Sequence, residues 1–144
     1  MKILMICLGN ICRSPLAEGI MQHLVQQRGL DWTVDSAGTG GWHVGQCPDY
    51  RSVSVAKSYG VDISKQVCRQ FSVSDFDNFD LLLAMDKNNL RDILSLARND
   101  RDKAKVRLLL NKQEVPDPYY DDNSFDPVYK LVEDGCKKII EEYN

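Results

Sequence analysis

The chain has 144 residues, five of them cysteine, with 43% hydrophobic and 27% charged residues and a formal net charge of −3. That length suits one domain with a single buried core, and the weakly acidic balance excludes nonspecific nucleic-acid binding. No apolar run approaches the length of a membrane span, and an odd cysteine count without a staple-like pattern points to a reducing, cytoplasmic setting.

Lys2 to Cys7 is a short continuous apolar run ending in cysteine, the pattern of a strand buried on both faces. It is too brief for a secretory signal. Leu8 to Ser14 follow as a loop, and Pro15 opens a helix over residues 15–28, where Leu16, Ala17, Ile20, Met21, Leu24 and Val25 recur at helical spacing. Gly29 suits the position just past its end.

Gly9 and Asn10 are the residue types that best tolerate positive φ. A loop bent there turns successive N–H groups inward as an anion nest. The helix beginning near Ser14 and Pro15 adds its own free N–H groups and its positive dipole end. Cys7 then stands at the rim of a positive cup that favours its thiolate. Arg13, six residues on, can fork two donors onto a phosphate or a similar oxyanion. A nucleophile at the base of an anion site suggests phosphoryl transfer to sulfur. The Cys-x5-Arg spacing arises readily by chance; the strand before it, Gly-Asn within it and Ser-Pro after it give it weight. The competing reading has Cys7 as a buried strand-end cysteine and Arg13 at the surface.

Trp32, Thr33 and Val34 read as a second strand entering Asp35-Ser36, which makes a right-handed parallel βαβ unit. Residues 38–48 are a glycine-rich loop with Trp42 at its middle. The indole is either a lid over the core or a wall that stacks on an aromatic substrate. His43 reads as a surface histidine and His23 as solvated. Residues 49–59 form a helix with Val53, Ala56 and Tyr59 inward and Gly60 as its stop; Val61 to Ser64 connect onward. Phe79 to Met85 is a third strand. Asp86 follows at its carboxyl end, where open α/β sheets place ligands, and it reads as the N-cap of a helix over residues 87–98 rather than as a catalytic group. Residues 99–105 read as a charged surface turn, and Val106 to Leu110 as a fourth strand. A polar loop over residues 111–126 contains Pro116, Asp117, Pro118, Tyr119 and Tyr120. Asp126-Pro127 start a last helix striped by Val128, Leu131, Val132, Cys136, Ile139 and Ile140. These elements predict an α/β fold, residues 1–144 as one domain, with a four-stranded parallel sheet and helices on both faces.

The chemistry calls for an acid. An aryl oxide has a conjugate-acid pKa of about 10, the tyrosine value, and leaves far better protonated. The loop from Cys7 to Ser14 holds no acid. Asp117 is the best candidate, because prolines on both sides stiffen its backbone and two aromatic neighbours can exclude water from it. It also reads as an ordinary turn aspartate beside proline; Asp121 and Asp122 are fallback acids. Ser14 can hydrogen-bond the Cys7 sulfur, cap the helix, or do both.

The run Cys7-Leu8-Gly9-Asn10-Ile11-Cys12-Arg13-Ser14-Pro15 resembles the signature loop of the low-molecular-weight protein tyrosine phosphatases. The resemblance continues through Asp35-Ser36-Ala37-Gly38-Thr39, Trp42-His43-Val44-Gly45, Ala84-Met85-Asp86 and Asp117-Pro118-Tyr119-Tyr120, so it covers essentially the whole chain. It implies a Rossmann-like fold of the phosphotyrosine phosphatase I type and hydrolysis of protein phosphotyrosine through a phosphocysteine. Cys7, Arg13 and Asp117 would be catalytic, with substrate contacts from Leu8, Gly9, Asn10, Ile11, Cys12, Ser14, Trp42, Tyr119 and Tyr120. It implies phosphotyrosine proteins as partners; no metal or organic cofactor is called for, because thiolate, arginine and carboxylate suffice, and a monomer is assumed. An aromatic slot would admit phosphotyrosine and leave phosphoserine too short to reach the cup. Family precedent gives Cys12 a reversible disulfide with Cys7 under peroxide; read without it, Cys12 is a small buried residue. Where the family often has histidine stands Gln66, which hydrogen-bonds but cannot charge, and this bears on how the loop is braced.

Other readings are weaker. Arsenate reductase shares the scaffold but relays a disulfide through cysteines after the third strand, and Ala84 to Asn99 contain none; the remaining cysteines are Cys47, Cys68 and Cys136. Cys-x-x-Cys, paired zinc-ligand spacings and Gly-Lys-Ser/Thr are all missing. A binding module without catalysis would have no use for Cys7, Arg13 and Asp117 together.

Overall fold

The computed structural model describes residues 1–144. Its elements run β1 (Lys2–Cys7), α1 (Arg13–Gln27), β2 (Thr33–Gly38), α2 (Tyr50–Ser58), α3 (Asp75–Asn78), β3 (Leu81–Ala84), α4 (Lys87–Leu96), α5 (Asp100–Ala104), β4 (Val106–Leu108) and α6 (Phe125–Tyr143). A 3-10 turn at Asp122–Ser124 leads into α6.

The four strands form one parallel sheet in the order β2-β1-β3-β4. β1 is central: Ile3 pairs with Val34 on one side and Leu81 on the other. Period-two alternation divides its side chains between two cores. Ile3, Met5 and Cys7 join α1, α2 and α6 in the larger cluster; Leu4 and Ile6 pack with Phe71, Phe76, Leu82 and Ile93 on the opposite face. Helices therefore cover both faces, as a parallel sheet of apolar strands requires. The chain leaves β1 for β2 on one side and crosses back to β3 on the other. This places the reversal of strand order beside the carboxyl end of β1. No helix is long and apolar enough to cross a membrane.

Several expectations shift. α1 starts at Arg13 instead of residue 15, because the Leu16 N–H already reaches the Cys12 carbonyl at 3.4 Å; Pro15 sits inside the first turn, where its missing N–H leaves nothing unpaired. Residues 99–105 are not a solvated turn. Asn99 caps α5 through the Asp102 N–H, and Asp102 is buried against Arg98, whose N–H and Nε both donate to it. The charge density of that segment hid its cap and its internal ion pair. Asp75–Asn78 adds a helical turn that the sequence reading left out. β3 and β4 are shorter than Phe79–Met85 and Val106–Leu110, since β4 has only Leu82 to Ala84 as partners. Tyr59 is not inward but at the surface; its ring stacks on Tyr129 with centroids 4.2 Å apart, and its hydroxyl donates to Asp126 at 2.6 Å. His23 is half-buried on α1 rather than fully solvated.

Candidate active site

β1 delivers Cys7 to the sheet's carboxyl edge, and the loop from Leu8 to Cys12 wraps over it before α1 begins. The loop's positive φ falls at Asn10 (58°); Gly9 does not share it. Gly9 has a different reason to lack a side chain, since a Cβ there would lie 3.1 Å from His43 Cδ2. Gly38, at the end of β2, runs directly beneath the loop: a Cβ would meet the Leu8 carbonyl oxygen at 2.8 Å and the Asn10 nitrogen at 3.1 Å. The Thr39 and Gly40 N–H groups then donate to the Cys7 and Leu8 carbonyls at 2.9 Å each. The N–H groups of Ile11, Cys12 and Arg13 have no acceptor within the protein, which leaves them free for an anion.

A line of hydrogen bonds fixes the protons around the sulfur. The Arg69 backbone N–H donates to Asn10 Oδ1 at 3.0 Å, so the amide nitrogen of Asn10 faces the other way. Asn10 Nδ2 donates to Ser14 Oγ at 2.8 Å and to Ser36 Oγ at 3.0 Å. Ser36 passes its own proton to Glu18 Oε1 at 2.6 Å. Ser14, having accepted from Asn10, has its hydroxyl proton free for Cys7 Sγ, 2.9 Å away. The Asn10 N–H adds a second donor to that sulfur at 3.3 Å. Glu18 is buried, and burial, with a smaller contribution from Asp35, pushes its carboxyl pKa up to about 7.

Arg13 is 4% exposed. Its Nη1 donates to Asp86 Oδ2 at 2.7 Å and to the Val115 carbonyl at 2.9 Å. Burial alone would lower the guanidinium pKa; attraction to Cys7, the hydrogen bond donated to Asp86 and the charges of Asp86 and Asp117 outweigh it, and the net shift is upward. Asp86 also caps α4 through the Asn89 N–H at 2.8 Å, as its position predicts.

Cys7, Leu8, Gly9, Ile11, Cys12, Arg13, Trp42, His43, Asp117, Tyr119 and Tyr120 line one pocket of about 250 Å³. Asn10 and Ser14 lie behind it, buried beside the sulfur. Trp42 is 69% exposed, so it is a pocket wall and not a lid over the core. Asp117 is exposed, its Oδ1 accepting the Tyr119 N–H at 3.1 Å, and Tyr120 is 91% exposed. The aromatic pair meets edge to face, 5.0 Å between centroids, and stands at the rim without excluding water from the carboxyl group. Burial, followed by repulsion from Asp49, Cys7 and Asp117, pushes the Cys12 thiol up to about 12. All five cysteines are free thiols. Gln66 Nε2 donates to the Pro15 carbonyl at 3.0 Å, so it steadies the first turn of α1, while the buried Oε1 has no partner.

The roles of four residues escaped the sequence reading. His43, expected at the surface, packs on Gly9, lines the pocket and bonds Gln46 Oε1 at 3.1 Å. Asp86 holds Arg13 besides capping α4. Glu18 and Ser36 carry the hydrogen-bond line away from the sulfur. Glu18 interrupts the apolar stripe of α1, and that charge on a buried stretch was the one available signal.

Residues 2–144 match the family model described as low molecular weight phosphotyrosine protein phosphatase. The chain is 40% identical over 150 residues to the low molecular weight phosphotyrosine protein phosphatase of Homo sapiens, covering 98% of this chain and 94% of that protein. It is 37% identical over 147 residues to the low molecular weight protein-tyrosine-phosphatase YfkJ of Bacillus subtilis, covering 96% and 93% respectively. Among solved structures it is similar to a protein tyrosine phosphatase from Entamoeba histolytica with Hepes in the active site. That similarity has a TM-score of 0.94 and 38% identity, over 99% of this chain and 96% of that one.

Proposed function

The chain belongs to the low molecular weight phosphotyrosine protein phosphatase family, and from that membership we propose that it hydrolyses protein phosphotyrosine, and small aryl phosphates, through a phosphocysteine on Cys7. The observation that carries the reading is the one pocket shared by Cys7, Arg13 and Asp117, with two donors on the Cys7 sulfur.

In the first step the Cys7 thiolate attacks phosphorus. The bond from phosphorus to the aryl oxygen breaks, and Asp117 gives that oxygen its proton. In the second step Asp117, now a carboxylate, takes a proton from water as its oxygen attacks phosphorus. The P–S bond breaks, returning the thiolate and releasing inorganic phosphate. Charge on the three equatorial oxygens is met by Arg13 and by the free N–H groups of the loop. Ser14 donates to the sulfur when it is anionic, before attack and again as it departs. These steps use a thiolate, a guanidinium and a carboxyl group, and call on no metal or cofactor. Trp42, Tyr119 and Tyr120 supply faces for the phosphotyrosine ring. Under peroxide, Cys7 becomes a sulfenic acid and Cys12 condenses with it, releasing water and forming a disulfide.

The test is p-nitrophenyl phosphate hydrolysis with chelator present, in wild type, Cys7→Ser and Asp117→Ala. Turnover abolished by the first change and strongly reduced by the second is the expected result. Turnover that survives in Cys7→Ser overturns the thiolate mechanism; an inactive, folded and fully reduced wild type overturns the enzyme reading in favour of a phosphotyrosine-binding module.

A further inference from the structure

Leu8 and Trp42 border two hollows. One is the pocket over Cys7; the other, of about 320 Å³, lies on to α4 and is closed there by Asp92, Ser95 and Leu96. Leu8, Trp42 and Leu96 are 44%, 69% and 46% exposed, so this second hollow presents three large apolar groups to water. The indole has a fixed seat: a Cβ on Gly40 would fall 1.9 Å from Trp42 Cζ3, so the ring rests directly on the Gly40 backbone. Asp92 is the one charged group in the lining. Its carboxylate makes no hydrogen bond or ion pair within the protein, because Ser95 Oγ donates to the Asp92 backbone carbonyl, at 2.6 Å, and not to the side chain.

Apolar walls with one unpaired carboxylate match a side chain that has a long apolar stem and a cationic head. The indole face adds attraction for the same cation. The hollow begins at Leu8, one residue from Cys7, and an extended peptide advances about 3.3–3.6 Å per residue. A residue flanking the phosphorylated tyrosine is therefore within reach of it. We propose that this hollow is a subsite for a lysine or arginine flanking the phosphotyrosine, with Asp92 as its specificity-determining residue. The proposal rests on the phosphatase reading of the adjoining pocket.

The experiment measures kcat/KM on phosphotyrosine peptides in which a single arginine, or a single glutamate, is walked through the positions on either side of the phosphotyrosine. Wild type, Asp92→Asn and Asp92→Lys are compared, each also assayed on p-nitrophenyl phosphate, which is too small to reach the hollow. Asp92 is exposed and away from the reacting atoms, so p-nitrophenyl phosphate turnover stays the same in all three. The expected result is a preference of about 5-fold for arginine at one or two positions, a partly exposed charge pair's share of specificity. Asp92→Asn flattens that preference and Asp92→Lys turns it toward glutamate. A flat arginine scan in an enzyme that hydrolyses p-nitrophenyl phosphate overturns the subsite and leaves the phosphatase reading standing. So does a preference that persists unchanged in both variants. Loss of p-nitrophenyl phosphate turnover in wild type overturns the phosphatase reading, and the subsite falls with it.

Discussion

Arg13 Nη1 sits 2.7 Å from Asp86 Oδ2, a contact between the start of α1 and the carboxyl end of β3 that spans 73 residues of sequence. The guanidinium is thus aimed before any phosphate arrives, which is what a preorganised anion site requires. Asp86→Asn keeps an acceptor and a good N-cap but removes the charge. The expected result is a loss of about 10-fold in kcat/KM for p-nitrophenyl phosphate, with stability lowered by about 1–2 kcal/mol in urea melts because a buried cation loses its counter-ion. Asp86→Ala costs about 1 kcal/mol more through the lost cap. An Asp86→Asn enzyme with wild-type kinetics would show that Arg13 needs no such support.

Ser14→Ala removes the hydroxyl that donates to Cys7 Sγ. Alkylation of Cys7 by iodoacetamide at pH 6 is expected to slow by about 10-fold, the size of one hydrogen bond to a charged group. The Asn10 N–H contact remains and keeps some of the effect. Unchanged alkylation would assign Ser14 to structure alone.

Glu18 gives stability a pH dependence. Burial lifts its carboxyl from the ordinary value of about 4.5 to about 7 in the folded protein. The folded state therefore holds a proton that the unfolded chain releases, and stability from this group is full below pH 4.5 and declines as pH rises through 7. The span corresponds to roughly 3 kcal/mol. Glu18→Gln removes that slope, so its melting temperature gains on wild type between pH 5 and pH 7 and levels off by pH 8. A constant difference across that range would locate the titration elsewhere.

Cys12 is expected to be a slow partner for oxidised Cys7. With its thiol pushed up to about 12, little thiolate exists at neutral pH to condense with a sulfenic acid. Disulfide between the Cys7 and Cys12 peptides, followed by mass spectrometry after peroxide, should form faster by about 10-fold for each pH unit between 7 and 9. A rate independent of pH, or no such linkage at all, counts against the protective role.

The sheet was legible because its signals are local. Ile3 to Cys7 and Leu81 to Ala84 are unbroken apolar runs, and Gly29 and Gly60 mark helix ends. The loop proposed to carry the nucleophile and bind the anion was legible as a unit because Cys7 to Arg13 are contiguous. What escaped depends on long-range contact. Nothing near Asp86 reports that Arg13 comes to rest on it, and nothing near His43 reports that Gly9 leaves space for its ring. The segment around Asp102 looked solvated because composition cannot show that Arg98 folds back over it. The enclosure expected for Asp117 failed for a related reason: adjacency to tyrosine in sequence does not place the rings over the carboxyl group.

Arg51 gives the segment that carries Asp117 an uneven suspension. At its start, the Val115 N–H is held by the Met85 carbonyl at 2.7 Å and its carbonyl by Arg13, both within the core. At its other end, Arg51 grips Asp122 at 2.6 Å, with its guanidinium over the rings of Tyr119 and Phe125 at 5.3 Å and 4.6 Å. The Asp122 side chain is 77% exposed, so dissolved ions weaken that grip and leave the inner anchor almost untouched. Asp117 thus hangs between a fixed post and a clasp that ionic strength can loosen, which makes background salt a dial on the placement of its carboxyl group, with Cys7 and its loop held still.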